Sequence, residues 1–248
     1  MILSGILLAI VLAMLAWFAK DDVAEYARFK ALATSRERRR QYAIWILKQL
    51  GYLFVPPLIG LALLGRLGTL ASLPPEFAPI AKLLPSLKSG GDMAIGMIIG
   101  AAGVGVALAL LMTVRRKKPR TERKPVAVGD IHALLPRNRN ELALTALLSV
   151  SAGVTEELMF RLFLPLLIVL VAGSVVVAFV LPAIVFGLMH RYQGIVGVIA
   201  TTVIGALFAA LYLGTQSLWI AMLAHAALDL NGMVLGPMLR GALKPATD

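Results

Sequence analysis

Cysteine is absent from all 248 residues, which excludes disulfides, thiol nucleophiles and cysteine-ligated zinc or iron–sulfur centres. Charge is scarce too: charged residues make up 15% of the chain against 59% apolar ones, and the mean hydropathy is +0.86. A water-soluble domain of this size needs far more polar surface to cover its core. Acid is the scarcer charge, with 13 Asp and Glu against 24 Lys and Arg and a net charge of +11. In a soluble chain that excess points to nucleic acid. Here the cations gather in two loops beside long apolar blocks, the pattern of cytoplasmic loops on a membrane protein. The expected surroundings are a lipid bilayer, with no nucleic-acid partner.

The apolar residues run in blocks long enough to cross a bilayer at about 20 residues each. Backbone groups in hydrocarbon must bond within their own segment or a closed barrel. Barrel strands alternate at period two, whereas these blocks are apolar all round, so the expected fold is all-α, a polytopic bundle of transmembrane helices. Clear spans read as 2–19, 42–65, 94–114, 194–213 and 216–236. The first carries no basic flank before it and is expected to be a retained span, a cleaved signal peptide being the alternative. Pro56-Pro57 should kink the second. The segment 66–92, with Pro74, Pro75, Pro79 and Pro85, is too broken to span and should lie at an interface or dip partway in.

Region 139–190 reads either as two helices, about 140–164 and 173–190, or as three shorter ones. Loop charge chooses between them. Basic residues fill 20–41 (Lys20, Arg28, Lys30, Arg36, Arg38, Arg39, Arg40) and 115–139 (Arg115 through Lys118, Arg120, Arg123, Lys124, Arg137, Arg139). With two helices, Arg191, Arg240 and Lys244 fall on the same side as these loops, and the uncharged turns near Gly173 and Gly214 fall on the other. That gives about seven spans (eight with three helices), N-terminus out and C-terminus in. The chain divides into N-terminal transmembrane helices with basic loops over 1–138, a helical core over 139–240 and a short tail over 241–248.

Within the last hundred residues the apolar spans hold Glu156, Glu157, Arg161, His190, His225 and Asp229. A charged side chain at mid-bilayer costs about 3 kcal/mol on insertion scales, so such groups face the bundle interior and mark function. Glu157 and Arg161 stand four apart on one helical face and can pair. Glu156 points about 100° away and is left free. Phe186 and His190 share a face, as do His225 and Asp229. Three helices can therefore converge carboxylates and two imidazoles on one polar pocket.

Thr155-Glu156-Glu157-Leu158-Met159-Phe160-Arg161 resembles the EExxxR motif of the CPBP family, the CAAX protease and bacteriocin-processing enzymes. Phe186-Gly187-Leu188-Met189-His190 resembles its FxxxH motif, and His225-Ala226-Ala227-Leu228-Asp229 its HxxxN/D motif. All three stand in the family's order on successive apolar segments over about 140–236; the first three spans match only in being hydrophobic. The resemblance implies an Rce1-like, glutamate-dependent intramembrane endopeptidase acting on a membrane-associated protein or peptide without a cofactor or metal. Carried over, Glu156 is the general base, His190 holds the attacking water with it, and His225 and Asp229 stabilise or orient the oxyanion donors. Ionised Asp229, where the family also has asparagine, cannot donate a hydrogen bond, so its expected task is to orient His225. Glu157, Arg161 and Phe186 are expected in support.

Blander readings stand beside these. Glu157–Arg161 suits a structural ion pair better than direct catalysis, and His225–Asp229 taken alone could lock the last helix. Met159, Phe160 and Phe163 read as packing, and His132 is given no role. By residue type, Glu156, His190, His225 and Asp229 could also be zinc ligands, although the chain lacks the HExxH helix of common zinc proteases. A non-cleaving membrane scaffold is a further alternative. A proton-relay transporter is another, without the paired broken helices of many transporters. The expected location is a prokaryotic plasma membrane.

Overall fold

The computed structural model describes residues 1–83, 130–239, 241 and 243, and every described element is helical. In order these are α1 (Ile2–Ala19), α2 (Asp22–Lys30), α3 (Ser35–Gln49), α4 (Val55–Leu63), the short α5 (Ala78–Ala81), α6 (Arg139–Glu157), α7 (Leu164–Ala172), α8 (Val175–Leu188), α9 (Gly194–Thr215), α10 (Leu218–Leu230) and the short α11 (Gly236–Leu239). The helical runs Ile2–Lys30, Ser35–Leu63, Arg191–Thr215 and Leu218–Leu239 are long and apolar enough to cross a membrane, and Val175–Leu188 is a shorter apolar helix. The chain is an integral membrane protein, helical in every element of its described residues. A count of about seven spans takes these five, the run from α6 through α7, and the 94–114 stretch. That stretch, the basic residues at 115–124, Pro85, Arg240 and Lys244 lie outside the described residues.

Three wide π-type turns, Leu50–Phe54, Leu158–Phe163 and Asn231–Leu235, join α3 to α4, α6 to α7 and α10 to α11. Each ends two residues before a proline: Pro56, Pro165 and Pro237. Proline has no N–H to donate and its ring crowds the carbonyl four residues back. An i→i+5 turn ahead of it shifts the hydrogen-bond register, and the helix continues through the proline. The 139–190 region is accordingly two helices, but the break falls at Gly173 alone. Pro165 lies inside a helical run from Arg139 to Ala172, and Gly173 turns the chain with φ +69°, a left-handed conformation open to glycine. Ser174 caps α8 by accepting from the Val177 N–H.

The 20–41 segment is not a loop either. Lys20 and Asp21 form the turn between α1 and α2, and Thr34 with Glu37 forms a capping box that starts α3 seven residues ahead of the expected span. Arg38, expected as a solvated topology charge, is fully buried. Its Nε donates to Glu141 Oε2 at 3.0 Å, and its guanidinium also reaches the Tyr42 hydroxyl and the Ala133 and Leu135 carbonyls. Glu141 lies in the first turn of α6, whose N-cap Asn138 accepts from the Glu141 N–H and donates to Ser35. Phe29 and Tyr42 wrap this ion pair, with Arg38 stacked 4.4 Å over the Phe29 ring. The start of α6 is thereby fixed to α3.

The main core gathers around residues 158–168, with Leu15 of α1, Phe179 of α8 and Tyr212 of α9 packed on it. The proline-rich segment after α4 dips into this core through Phe77, fully buried at 4.8 Å from the Phe179 ring. Helices α6 and α10 pack closely together. Gly153 is the reason they can: a Cβ there would lie 2.6 Å from the Ala226 backbone nitrogen.

Candidate active site

Helix α6 carries Glu156 and Glu157 at its C-terminal end, and the wide turn that follows carries Arg161. Glu157 Oε2 lies 3.0 Å from Arg161 Nε, the i,i+4 pair read from the sequence. Its other oxygen, Oε1, takes a 2.7 Å hydrogen bond from His225 Nδ1 on α10. One carboxylate thus joins the guanidinium to the imidazole, all three nearly or fully buried. The opposite ring nitrogen, Nε2, lies 3.8 Å from Glu156 Oε2 and 3.8 Å from Asp229 Oδ2. Those distances are too long for hydrogen bonds.

Exposure grades outward across this cluster. The Glu157 side chain is 0% exposed, His225 6%, Glu156 13% and Asp229 31%. Glu157 is sealed within the bundle, whereas Glu156 and Asp229 are partly exposed at its edge. A buried carboxylate tied to both a cation and an imidazole N–H is a fixed strut. Glu156 Oε2 is itself buried and lacks a hydrogen-bond partner among the described residues, whereas Glu157 has its Oε1 bonded to His225.

Aromatic rings fix the rest. Phe208 of α9 stacks on the His225 ring at 4.9 Å with 14° between planes, and Phe186 of α8 meets it edge-on at 6.1 Å and 82°. The Arg161 guanidinium lies 4.4 Å from the Phe186 ring centre. Phe186 also packs 4.8 Å from the His190 ring. Its backbone carbonyl accepts a 2.8 Å hydrogen bond from His190 Nδ1. Because a carbonyl only accepts, Nδ1 carries a proton, and in the neutral ring Nε2 of His190 then keeps its lone pair.

The expected residues are therefore brought together unequally. Glu156, Glu157, His225 and Asp229 share one cluster. His190 stands one ring away, across Phe186, with no described carboxylate within 4.0 Å of its ring nitrogens. The hydrogen bond that orients His225 comes from Glu157 and not, as expected, from Asp229. The reason is geometric: Asp229 shares a helix face with His225 but reaches only the outer nitrogen, while α6 crosses close enough at Gly153 for Glu157 to reach the inner one. Among the described residues no group of three or more His, Cys, Asp or Glu side chains is placed to hold a metal ion. Phe208 escaped the sequence reading because it belongs to no spaced motif; a large aromatic on the helix between two motif helices is its one signal.

No curated protein and no solved structure matches the chain. Residues 138–231, the segment that holds Glu156, His190 and His225, match the family model described as Rce1-like, type II CAAX prenyl endopeptidase.

Proposed function

We propose that this protein is an intramembrane endopeptidase that cleaves peptide bonds of membrane-associated proteins or peptides with a water activated by Glu156. The observation that carries the reading is the division of labour on the His225 ring: Nδ1 is held by the buried Glu157 at 2.7 Å, while Nε2 faces Glu156 and Asp229 at the accessible edge. The match of 138–231 to the Rce1-like family model supports the same class of chemistry.

In this reading the Glu156 carboxylate takes a proton from water, and the hydroxide oxygen bonds to the scissile carbonyl carbon. With both nitrogens protonated, His225 donates Nδ1–H to Glu157 and Nε2–H to the oxyanion, a donor set in place before the charge develops. His190 accepts from the attacking water through its free Nε2. Glu156 then passes its proton to the amide nitrogen, the C–N bond breaks, and a carboxylic acid and an amine leave, the acid giving its remaining proton to the amine. Asp229 supplies a second negative charge beside Nε2, and Arg161 holds Glu157 in place. The proposed orientation is N-terminus out and C-terminus in, on the strength of the basic residues in 20–41 and 115–139, and the proposed membrane is a prokaryotic plasma membrane.

The test is cleavage by the purified protein reconstituted in liposomes, read by mass spectrometry on a panel of membrane-tethered peptides. Glu156→Gln should slow cleavage by about 10²–10⁴-fold, the usual worth of a positioned general base. Wild-type-like cleavage in that variant removes Glu156 as the base. A wild type that cleaves nothing across the panel points instead to a non-proteolytic scaffold.

A further inference from the structure

We infer that Phe208 is a positioning residue for the reaction proposed above, holding the plane of the His225 ring so that Nε2 faces Glu156. The inference rests on that reading for its kinetic consequence but not for its geometry. A single hydrogen bond from Nδ1 to Glu157 fixes one ring atom. It leaves the imidazole free to rock, because χ2 of histidine is a broad torsion with no sharp staggered wells. Rocking about Nδ1 swings Nε2 away from Glu156, the contact that is already 3.8 Å long. A second constraint has to come from a flat surface. Phe208 provides it, lying face to face with the imidazole at 4.9 Å and 14°, and Phe186 closes a further side edge-on. Offset stacking of this kind adds to plain burial and depends on ring geometry. An aliphatic side chain fills the volume without supplying the plane.

Phe208 belongs to α9, which carries none of the three motifs. Its contacts tie it to both ends of the buried strut: besides the His225 stack, its ring centre is 5.6 Å from the Arg161 guanidinium. The cycle from Glu157 to Arg161, across Phe208 to His225 and back to Glu157, closes with no backbone from α9 inside it. Moving this one ring loosens the imidazole while leaving both glutamates and their helix in place.

The chain has three histidines, His132, His190 and His225, so histidine labelled with ¹³C and ¹⁵N gives three ring signals that single His→Gln variants assign. The test compares full-length wild type with Phe208→Leu, Phe208→Tyr and Phe179→Leu in lipid nanodiscs. Phe179 is the packing control, since both phenylalanines are 7% exposed and Phe179 packs on Phe77. Expected in the wild type is an upfield His225 carbon-bound proton signal, shifted by the stacked ring. Phe208→Leu should abolish that displacement and broaden the signal, Phe208→Tyr should keep it, and Phe179→Leu should leave it unchanged. In the cleavage assay Phe208→Leu should lower kcat about tenfold at unchanged KM, as sub-ångström misplacement of a reacting group does, with Phe208→Tyr close to wild type. Unchanged His225 signals in Phe208→Leu, or the same changes in Phe179→Leu, overturn the inference. The ring signals decide it even if the wild type cleaves nothing, an outcome that fails the protease reading alone.

Discussion

Replacing Gly153 by alanine puts a single methyl between the two helices that build the site. Its carbon would lie 2.6 Å from the Ala226 nitrogen, 2.8 Å from the Ala226 Cβ and 2.9 Å from the Ala226 Cα, about 0.8 Å inside the 3.4 Å at which ordinary contact begins. The nearest obstacle is backbone, so no side-chain rotation relieves it and α6 and α10 must separate. Ala226 is the immediate neighbour of His225, and Gly153 lies one turn before Glu156 and Glu157, so the separation is delivered to the cluster of Glu156, Glu157 and His225. A displacement of this size takes the 2.7 Å bond between Glu157 and His225 past the range of a hydrogen bond. Overpacking of this kind costs about 1–3 kcal/mol of stability, and an ångström-scale misplacement of a reacting group costs on the order of 10²-fold in rate. Gly153→Ala should therefore show a lower melting temperature in detergent and cleavage slowed by roughly that factor. Adding Ala226→Gly removes the 2.8 Å clash but not the 2.6 Å one, so it should restore neither quantity in full. A Gly153→Ala protein with wild-type melting and wild-type cleavage refutes the close approach of α6 and α10 as the source of the geometry.

Other outcomes follow from the same contacts. Glu157→Gln leaves Arg161 buried without its counter-charge and should destabilise the fold by about 3–5 kcal/mol. Glu156→Gln, at the accessible edge, should lose cleavage with little change in melting. Arg38→Met strands the fully buried Glu141 and should cost about 3–5 kcal/mol, whereas the double replacement Arg38→Met with Glu141→Leu should recover most of that loss; thermal unfolding of the three proteins checks the sequence of effects. Gly60→Ala places a carbon 2.1 Å from the Phe163 ring, and unless that ring is displaced the penalty is about 1–3 kcal/mol, read from the same melting curves.

Much of this site is legible from residue spacing because helices make spacing geometric. Four residues bring Glu157 to Arg161 and His225 to Asp229, and the roughly 100° between the adjacent Glu156 and Glu157 sends them to opposite nitrogens of the His225 ring. What spacing does not carry is which helices touch. That Glu157 serves two partners depends on α10 approaching α6 at Gly153, a contact between residues more than seventy positions apart in the chain. Phe208 is hidden for the same reason. The buried Arg38 misleads for another: it stands in a run of arginines, Arg36 and Arg40 among them exposed, whose composition is that of a solvated loop, and its partner Glu141 lies beyond 100 residues of intervening chain. The spans are predictable from hydropathy, yet their ends shift, because hydropathy marks where lipid can be and not where helix stops. Prolines illustrate the limit. Pro165 reads as a helix break, but the π-type turn ahead of it lets α7 continue from α6, and the break waits for Gly173.

The most direct measurement of the central claim is peptide cleavage by the reconstituted protein in H₂¹⁸O, with wild type and Glu156→Gln run side by side. The account predicts that wild type releases fragments whose new C-terminal carboxylate contains one ¹⁸O atom, and that Glu156→Gln releases almost none. Equal yields of labelled fragment from both proteins contradict it.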